Sequence, residues 1–216
     1  MSSTGERSSR AVRARMTGKE RREQLLAVGR KLFAEKGYEA TSVEEIAASA
    51  EVSKPVVYEH FGGKEGLYAV VVDREIQQLL SQITGALGQA AHPRALLEHA
   101  ALALLEYIEE STDGFRILVR DSPVTTSTGG FASLINDVAS QVEHILVAEF
   151  KARGLESKAA PLYAQMLVGM VALTGQSWLD TRKPKRDEVA AHLVNLAWNG
   201  LAGLEAKPRL TTTRDS

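Results

Sequence analysis

The chain has 216 residues, 44% of them hydrophobic and 25% charged, with a formal net charge of -1. Those proportions exclude a disordered or collagen-like chain and fit one large domain or two small ones sharing a core. The absence of Cys removes disulfides, thiolate metal sites and a cysteine nucleophile, so no oxidising compartment is needed. Met1 to Arg15 is rich in Ser and Arg and lacks the apolar core of a signal peptide, which makes the cytoplasm the expected location.

Charge is unevenly placed. Residues 1–31 carry nine basic side chains against three acidic, and residues 32–80 carry four against nine. A basic arm on a neutral body is a weak nucleic-acid signal, because a solvated tail gives the same pattern.

Gly, Pro and small polar residues divide the chain into helical lengths, and no stretch alternates with period two between hairpin dipeptides, so the fold class is all-α. A first helix is predicted from about Thr17 to Lys36, with Leu25, Leu26, Val28, Leu32 and Phe33 on one stripe and a stop at Gly37. Thr41 and Ser42 each precede a glutamate by three residues, the capping-box spacing, so a short helix starts there and turns Val43, Ile46 and Ala47 inward. A third helix is expected from Pro55, since Lys54 before proline is disfavoured in the α region, and it ends by Phe61. A long helix follows from Lys64 to about Ala90. Helices are then expected over Pro93 to Ser111, Phe115 to Asp121, Phe131 to Lys151, Pro161 to Thr181 and Asp187 to Leu204, nine in all. Ser122 to Gly130 reads as a loop and residues 205–216 as a disordered tail. No charge lies between Lys158 and Asp180, yet Gln165, Thr174, Gln176 and Ser177 would need partners in hydrocarbon. That segment is expected to be a helix buried on all sides of a bundle, with no membrane contact.

Residues 42–60 place two short helices about a tight turn, anchored by Val43, Ile46, Ala47, Val52 and Val57, which is the geometry of a helix-turn-helix. Any small three-helix subdomain shows the same spacing. The runs Phe33 to Ala47 (FAEKGYEATSVEEIA), Val52 to Phe61 (VSKPVVYEHF) and Lys64 to Leu67 (KEGL) are more specific. They resemble the DNA-binding segment of the TetR family of bacterial transcription regulators, and the likeness is close over residues 20–72. Glu51 departs from it, standing where the family usually has a turn glycine. If φ is positive there, a glutamate costs on the order of 1 kcal/mol.

Charge sets off a basic arm over 1–16, and the resemblance implies a helix-turn-helix domain over 17–63 and a ligand-binding and dimerisation domain over 64–204. It implies a homodimeric, sequence-specific regulator, a repressor released from a palindromic double-stranded DNA operator by a small, mainly apolar effector. Two other readings stay open: a constitutive DNA-binding protein without effector, and an all-α enzyme carrying a vestigial helix-turn-helix.

The resemblance also assigns residues. Ser53, Lys54, Pro55 and Val56 occupy the exposed start of the recognition helix, where a lysine can donate to guanine O6 and N7 and an aliphatic can touch a thymine methyl. Tyr58 and His60 fall at phosphate-contacting positions, and Thr41, Ser42 and Lys64 can grip phosphate at helix N-termini. Capping alone also explains Thr41 and Ser42, as solvation explains Lys54 and packing explains His60. The five His show no metal-ligand pairing, and no nucleophile elbow or phosphate-cradling loop is present, so no metal, cofactor or catalytic residue is expected.

The uncharged helix offers two stripes. Gln165, Gly169, Ala172 and Gln176 form a small, polar-tipped one, expected to face the partner chain together with Val194, Ala197, Trp198 and Leu201 of the last helix. Tyr163, Met166, Met170, Thr174 and Trp178 form the other, expected to line an effector pocket walled by Tyr107, Phe131 and His144, although plain core packing gives the same stripe.

Overall fold

The computed structural model describes residues 16–120 and 130–210. The expected basic arm up to Arg15, the loop over 121–129 and the tail from 211 lie outside the described residues. Among those described the fold is all-α, with nine α-helices: α1 Gly18–Lys36, α2 Val43–Ser49, α3 Lys54–Phe61, α4 Lys64–Leu87, α5 Pro93–Glu110, α6 Thr112–Val119, α7 Gly130–Ala152, α8 Ala160–Thr181 and α9 Arg186–Ala202.

The boundaries follow local chemistry. Thr17 opens α1 with a full capping box: its backbone N–H donates to Glu20 Oε2 at 2.7 Å while the Glu20 N–H donates to Thr17 Oγ1 at 3.2 Å. Ser42 caps α2 by accepting from the Glu45 N–H at 3.1 Å. Helix α3 starts one residue earlier than expected, with Ser53 as N-cap and Pro55 in the second position. First-turn N–H groups lack intrahelical partners, so the proline is tolerated there and does not exclude Lys54 from the helix. Helix α6 also starts early, at Thr112, because Ser111 serves both as C-cap of α5 and N-cap of α6.

Helices α1 to α3 pack as a headpiece around fully buried Leu25, Ile46, Val57 and Leu67, the last from α4. Burial of each such aliphatic stabilises the fold by ~1.5 to 3 kcal/mol. Phe33, Tyr38 and Tyr68 extend this core, Tyr68 lying 4.9 Å from each of the other two rings. Helix α4 is shared: its first turns close the headpiece, and Leu79 and Ile83 join the core of the body formed with α5 to α9.

A buried polar hub fixes the two units to one another. Arg30 of α1 donates from Nε to Glu75 Oε1 of α4 at 2.6 Å and from Nη2 to Ser111 Oγ at 2.7 Å. Tyr107 of α5 donates its hydroxyl proton to Glu75 Oε2 at 2.5 Å. Burial, followed by that bond, pushes the Tyr107 phenol well above its ordinary value. The hub needs a glycine at 114, because a Cβ there would fall 1.8 Å from Glu75 Oε2.

Helix α8 is not buried on all sides. Leu162 (58%), Met166 (55%) and Leu173 (67%) are exposed along one face, as is Leu196 (65%) on α9. The cause is packing geometry: α8 rests on α7 and α5, and α9 rests on α5, which leaves one face of each uncovered by this chain. Among the described residues no helix is long and apolar enough to cross a membrane.

Candidate nucleic-acid interface and interior cavity

The headpiece presents the first turn of α3 outward. Ser53, Lys54, Pro55 and Tyr58 are exposed and Val56 half-buried, while Val57 anchors the helix from below. Arg22 of α1 clamps the other end of α3. Its Nη1 donates to the His60 carbonyl at 2.7 Å, and its guanidinium lies 4.3 Å from the centre of the Phe61 ring. His60 is half-buried beside Phe61. The turn into α3 puts Glu51 at φ 52, in the left-handed region, so the strain expected from its departure is present.

Two predicted contacts have partners within the headpiece. Thr41 is buried and donates its hydroxyl to the Gly37 carbonyl at 2.8 Å, tying the end of α1 to the turn before α2. A hydroxyl used in this way cannot reach phosphate, and Ser42, which is exposed, takes the cap. Lys64 donates to the Tyr38 carbonyl at 2.9 Å and sits 4.1 Å from the centre of that ring. Its ammonium keeps other donors free, so it holds the headpiece together and can still meet a phosphate.

One partner in the interface was missed in the sequence. Glu44 of α2 forms an ion pair with Lys54. The hydrogen bond from Lys54 holds the Glu44 carboxyl below its ordinary value. Ten residues separate the two, and only the angle between α2 and α3 brings them together.

The body forms a partly open cavity of about 310 Å³ between α4, α5, α7, α8 and α9. Its walls are almost wholly aliphatic: Leu79, Ile83 and Leu87 from α4, Leu96, Leu97 and Leu104 from α5, Val168 and Val171 from α8. Helix α7 lines it along its whole length, from Phe131 through Leu134, Val138 and Val142 to Glu149, with Arg153 just past its end. At its inner end Phe131 meets Phe115 edge-on at 5.8 Å, and Phe115 meets Tyr107 of the hub at 6.4 Å.

Known proteins share this arrangement. Residues 25–71 match the pattern of bacterial regulatory proteins of the tetR family, and residues 93–200 match that of the tetracyclin repressor-like C-terminal domain. The HTH-type transcriptional activator FasR of Mycolicibacterium smegmatis is 31% identical over 190 residues, 87% of this chain and 86% of that protein. The chain belongs to the TetR family. Two solved structures agree with this. A TetR-like regulator from Rhodococcus sp. RHA1 superposes with a TM-score of 0.73 at 26% identity, covering 88% of this chain and 100% of that one. PfmR of Thermus thermophilus gives 0.65 at 26% identity, covering 82% and 98%. As a TetR-family member the chain is a DNA-binding transcription regulator and not an enzyme.

Within this TetR body the expected stripes are rotated. Of the residues expected to face an effector, Phe131 alone lines the cavity. Tyr107 belongs to the hub, His144 is exposed, and Met166 lies on the open face of α8. Tyr163 packs on Phe150 at 5.5 Å, and Met170 and Thr174 are half-buried outside the cavity wall. Trp178 is fixed at the end of α8, donating to the Pro184 carbonyl at 2.8 Å beneath Arg182. Of the residues expected to face a partner, Gln165 and Gln176 are exposed, and a Cβ on Gly169 would meet only open space. Val194 and Ala197 instead point inward, because α9 lays its small-residue stripe on α5, and Ala172, Trp198 and Leu201 line the cavity.

Proposed function

We propose that this regulator works as a homodimer whose two recognition helices read successive major grooves of a near-palindromic duplex, and that a mainly apolar molecule filling the cavity releases it from that site. The observation that carries the reading is the continuous route between the two parts. Phe131 at the cavity wall, Phe115, Tyr107, Glu75 and Arg30 of α1 touch in sequence, and α4 runs alongside. A ligand that moves Phe131 acts on groups already packed against the headpiece. Dimerisation is supported by the uncovered apolar face of Leu162, Met166 and Leu173 with Leu196 of α9. Paired across a two-fold axis, α8 and α9 of two chains make a four-helix seam. Whether release represses or activates follows from where the operator lies relative to the promoter; the Mycolicibacterium relative is an activator.

The test has two arms. Footprinting upstream of the protein's own gene is expected to show two protected half-sites with centres about 34 Å apart. Gly169→Leu is expected to convert the dimer to monomer by sedimentation, since the added side chain stands on the face assigned to the seam and overpacking of such a contact costs ~1 to 3 kcal/mol per site. A protected single half-site, or a Gly169→Leu dimer of unchanged affinity, contradicts the reading.

A further inference from the structure

We propose that the cavity takes a long, flexible hydrocarbon chain ending in a single carboxylate, laid along α7 with its head at Arg153. The proposal rests on the reading of the cavity as an effector site, and it follows from shape, polarity and charge.

Helix α7 contributes wall from Phe131 to Phe150, and Arg153 continues it just past the end of the helix. At about 1.5 Å per residue that is roughly 30 Å of axis. A volume of about 310 Å³ lined over such a length makes a narrow, partly open channel, which a slender ligand can follow from end to end and a fused-ring compound can fill only in part.

The middle of the channel, at Leu134, Val138, Val142 and Leu146, offers no hydrogen-bonding side chain. A polar group stationed there would lose its water without replacement, whereas each buried methylene raises affinity about four-fold.

Charge is confined to one end. Arg153 donates from Nη1 to the Leu201 carbonyl at 2.8 Å and from Nη2 to the Ala202 carbonyl at 3.0 Å. A guanidinium has five N–H donors, so it can fix the end of α9 and still receive a carboxylate. Glu149 lines the same end, and its charge opposes a head carrying more than one negative charge. A monocarboxylate therefore fits better than a phosphate ester. Because Arg153 also holds the last carbonyls of α9, the head acts on the helix that carries exposed Leu196.

The experiment is calorimetric titration of the full chain, without DNA, with octanoate, dodecanoate and hexadecanoate below their micelle concentrations, and with hexadecanol and naphthoate. Trp198 at the cavity wall supplies a fluorescence readout of the same event. Affinity is expected to rise steeply with chain length, at one molecule per chain, with hexadecanol at least ten-fold weaker than hexadecanoate. Arg153→Gln is expected to remove the acid-over-alcohol preference while keeping the dependence on length. Val138→Trp is expected to exclude hexadecanoate but not octanoate. Naphthoate binding as tightly as hexadecanoate overturns the chain assignment, and equal acid and alcohol affinities overturn the head assignment. Several sites per chain that ignore both substitutions show surface adsorption and overturn the proposal as a whole. Tight hexadecanoate binding that leaves operator affinity unchanged sustains the ligand class and refutes the effector role, so the two failures are distinguishable.

Discussion

The headpiece and the body are built in opposite ways. The headpiece displays its chemistry on the outside, in polar side chains at the first turn of α3, whose positions depend on caps and turns a few residues away. The body keeps its chemistry inside, as a space left by five helices that do not quite close. A surface site can therefore be built from local spacing, whereas a cavity is a property of how distant stripes fail to meet. The hub of Arg30, Glu75, Tyr107 and Ser111 joins the two kinds of site, and the strongest test of the comparison is to remove it.

Glu75→Ala is expected to have the largest effect. It leaves the Arg30 guanidinium without its carboxylate and the buried Tyr107 hydroxyl without an acceptor. Breaking a buried pair typically costs about 3 to 5 kcal/mol, and because 31% of the Arg30 side chain remains exposed, a loss of about 3 kcal/mol is expected in urea unfolding. If the headpiece and body are coupled through this point, cavity ligands also lose part of their effect on DNA affinity. A stable Glu75→Ala protein with full ligand response would show that the hub does not couple the two units, leaving α4 and the packing of α1 on α6 to join them.

Lys54→Ala sharpens the outward side of the comparison. Loss of a base contact at the start of α3 is expected to cost ~1 to 3 kcal/mol of discrimination at one position per half-site. Lys64→Ala is expected to weaken all sequences alike and lower the salt slope by about 1. Comparing both proteins on operator and random duplex over a salt series separates the roles; unchanged base preference in Lys54→Ala refutes its part in reading sequence.

The two regions also differ in how much of them could be read in advance. The turn between α2 and α3, the caps at Thr17 and Ser42 and the exposure of Lys54 all follow from residues within a few positions of each other. Thr41 misleads because two hydroxyls stand at capping distance from a glutamate, and only packing decides that Ser42 takes the cap while Thr41 turns to the Gly37 carbonyl. In the body the helix count and the outward Gln165 and Gln176 were legible. The inward turn of Ala172 was not, since apolar residues surround the α8 axis and only packing selects which of them face the body, and that of Val194 and Ala197 was not, since the face of α9 that meets α5 is set by the distant α5 stripe. Nor does the stripe of Leu134, Val138 and Val142 in α7 differ in sequence from one that fills a core.

The hub makes a smaller prediction for alkaline solution. The fold favours the neutral Tyr107 phenol, whose ordinary pKa of 10.0 is raised by burial and by Glu75. The unfolded chain therefore releases this proton first as pH rises. Its contribution is present in full below about pH 10 and declines above it, by about 1.4 kcal/mol per pH unit. The stability of the wild type is expected to fall toward that of Tyr107→Phe above pH 10; two curves that stay parallel would mean that the phenol titrates alike in both states.

The smallest effect belongs to the turn at Glu51, where the headpiece breaks its own local rule. At φ 52 a side chain costs about 1 kcal/mol or more relative to glycine, which adopts this region freely. Glycine also gives the unfolded chain more freedom, which takes back roughly 0.5 to 1 kcal/mol. Glu51→Gly is thus expected to gain only a few tenths of a kcal/mol, while Glu51→Ile, β-branched and poorly suited to positive φ, is expected to lose about 1 kcal/mol or more. Since Glu51 is exposed, neither change disturbs the core, and the spread between the two midpoints in urea measures backbone strain less the unfolded-state freedom that glycine adds. A Glu51→Ile protein as stable as Glu51→Gly would show that the turn opens in solution and that α3 is not held at a fixed angle to α2 before DNA binds.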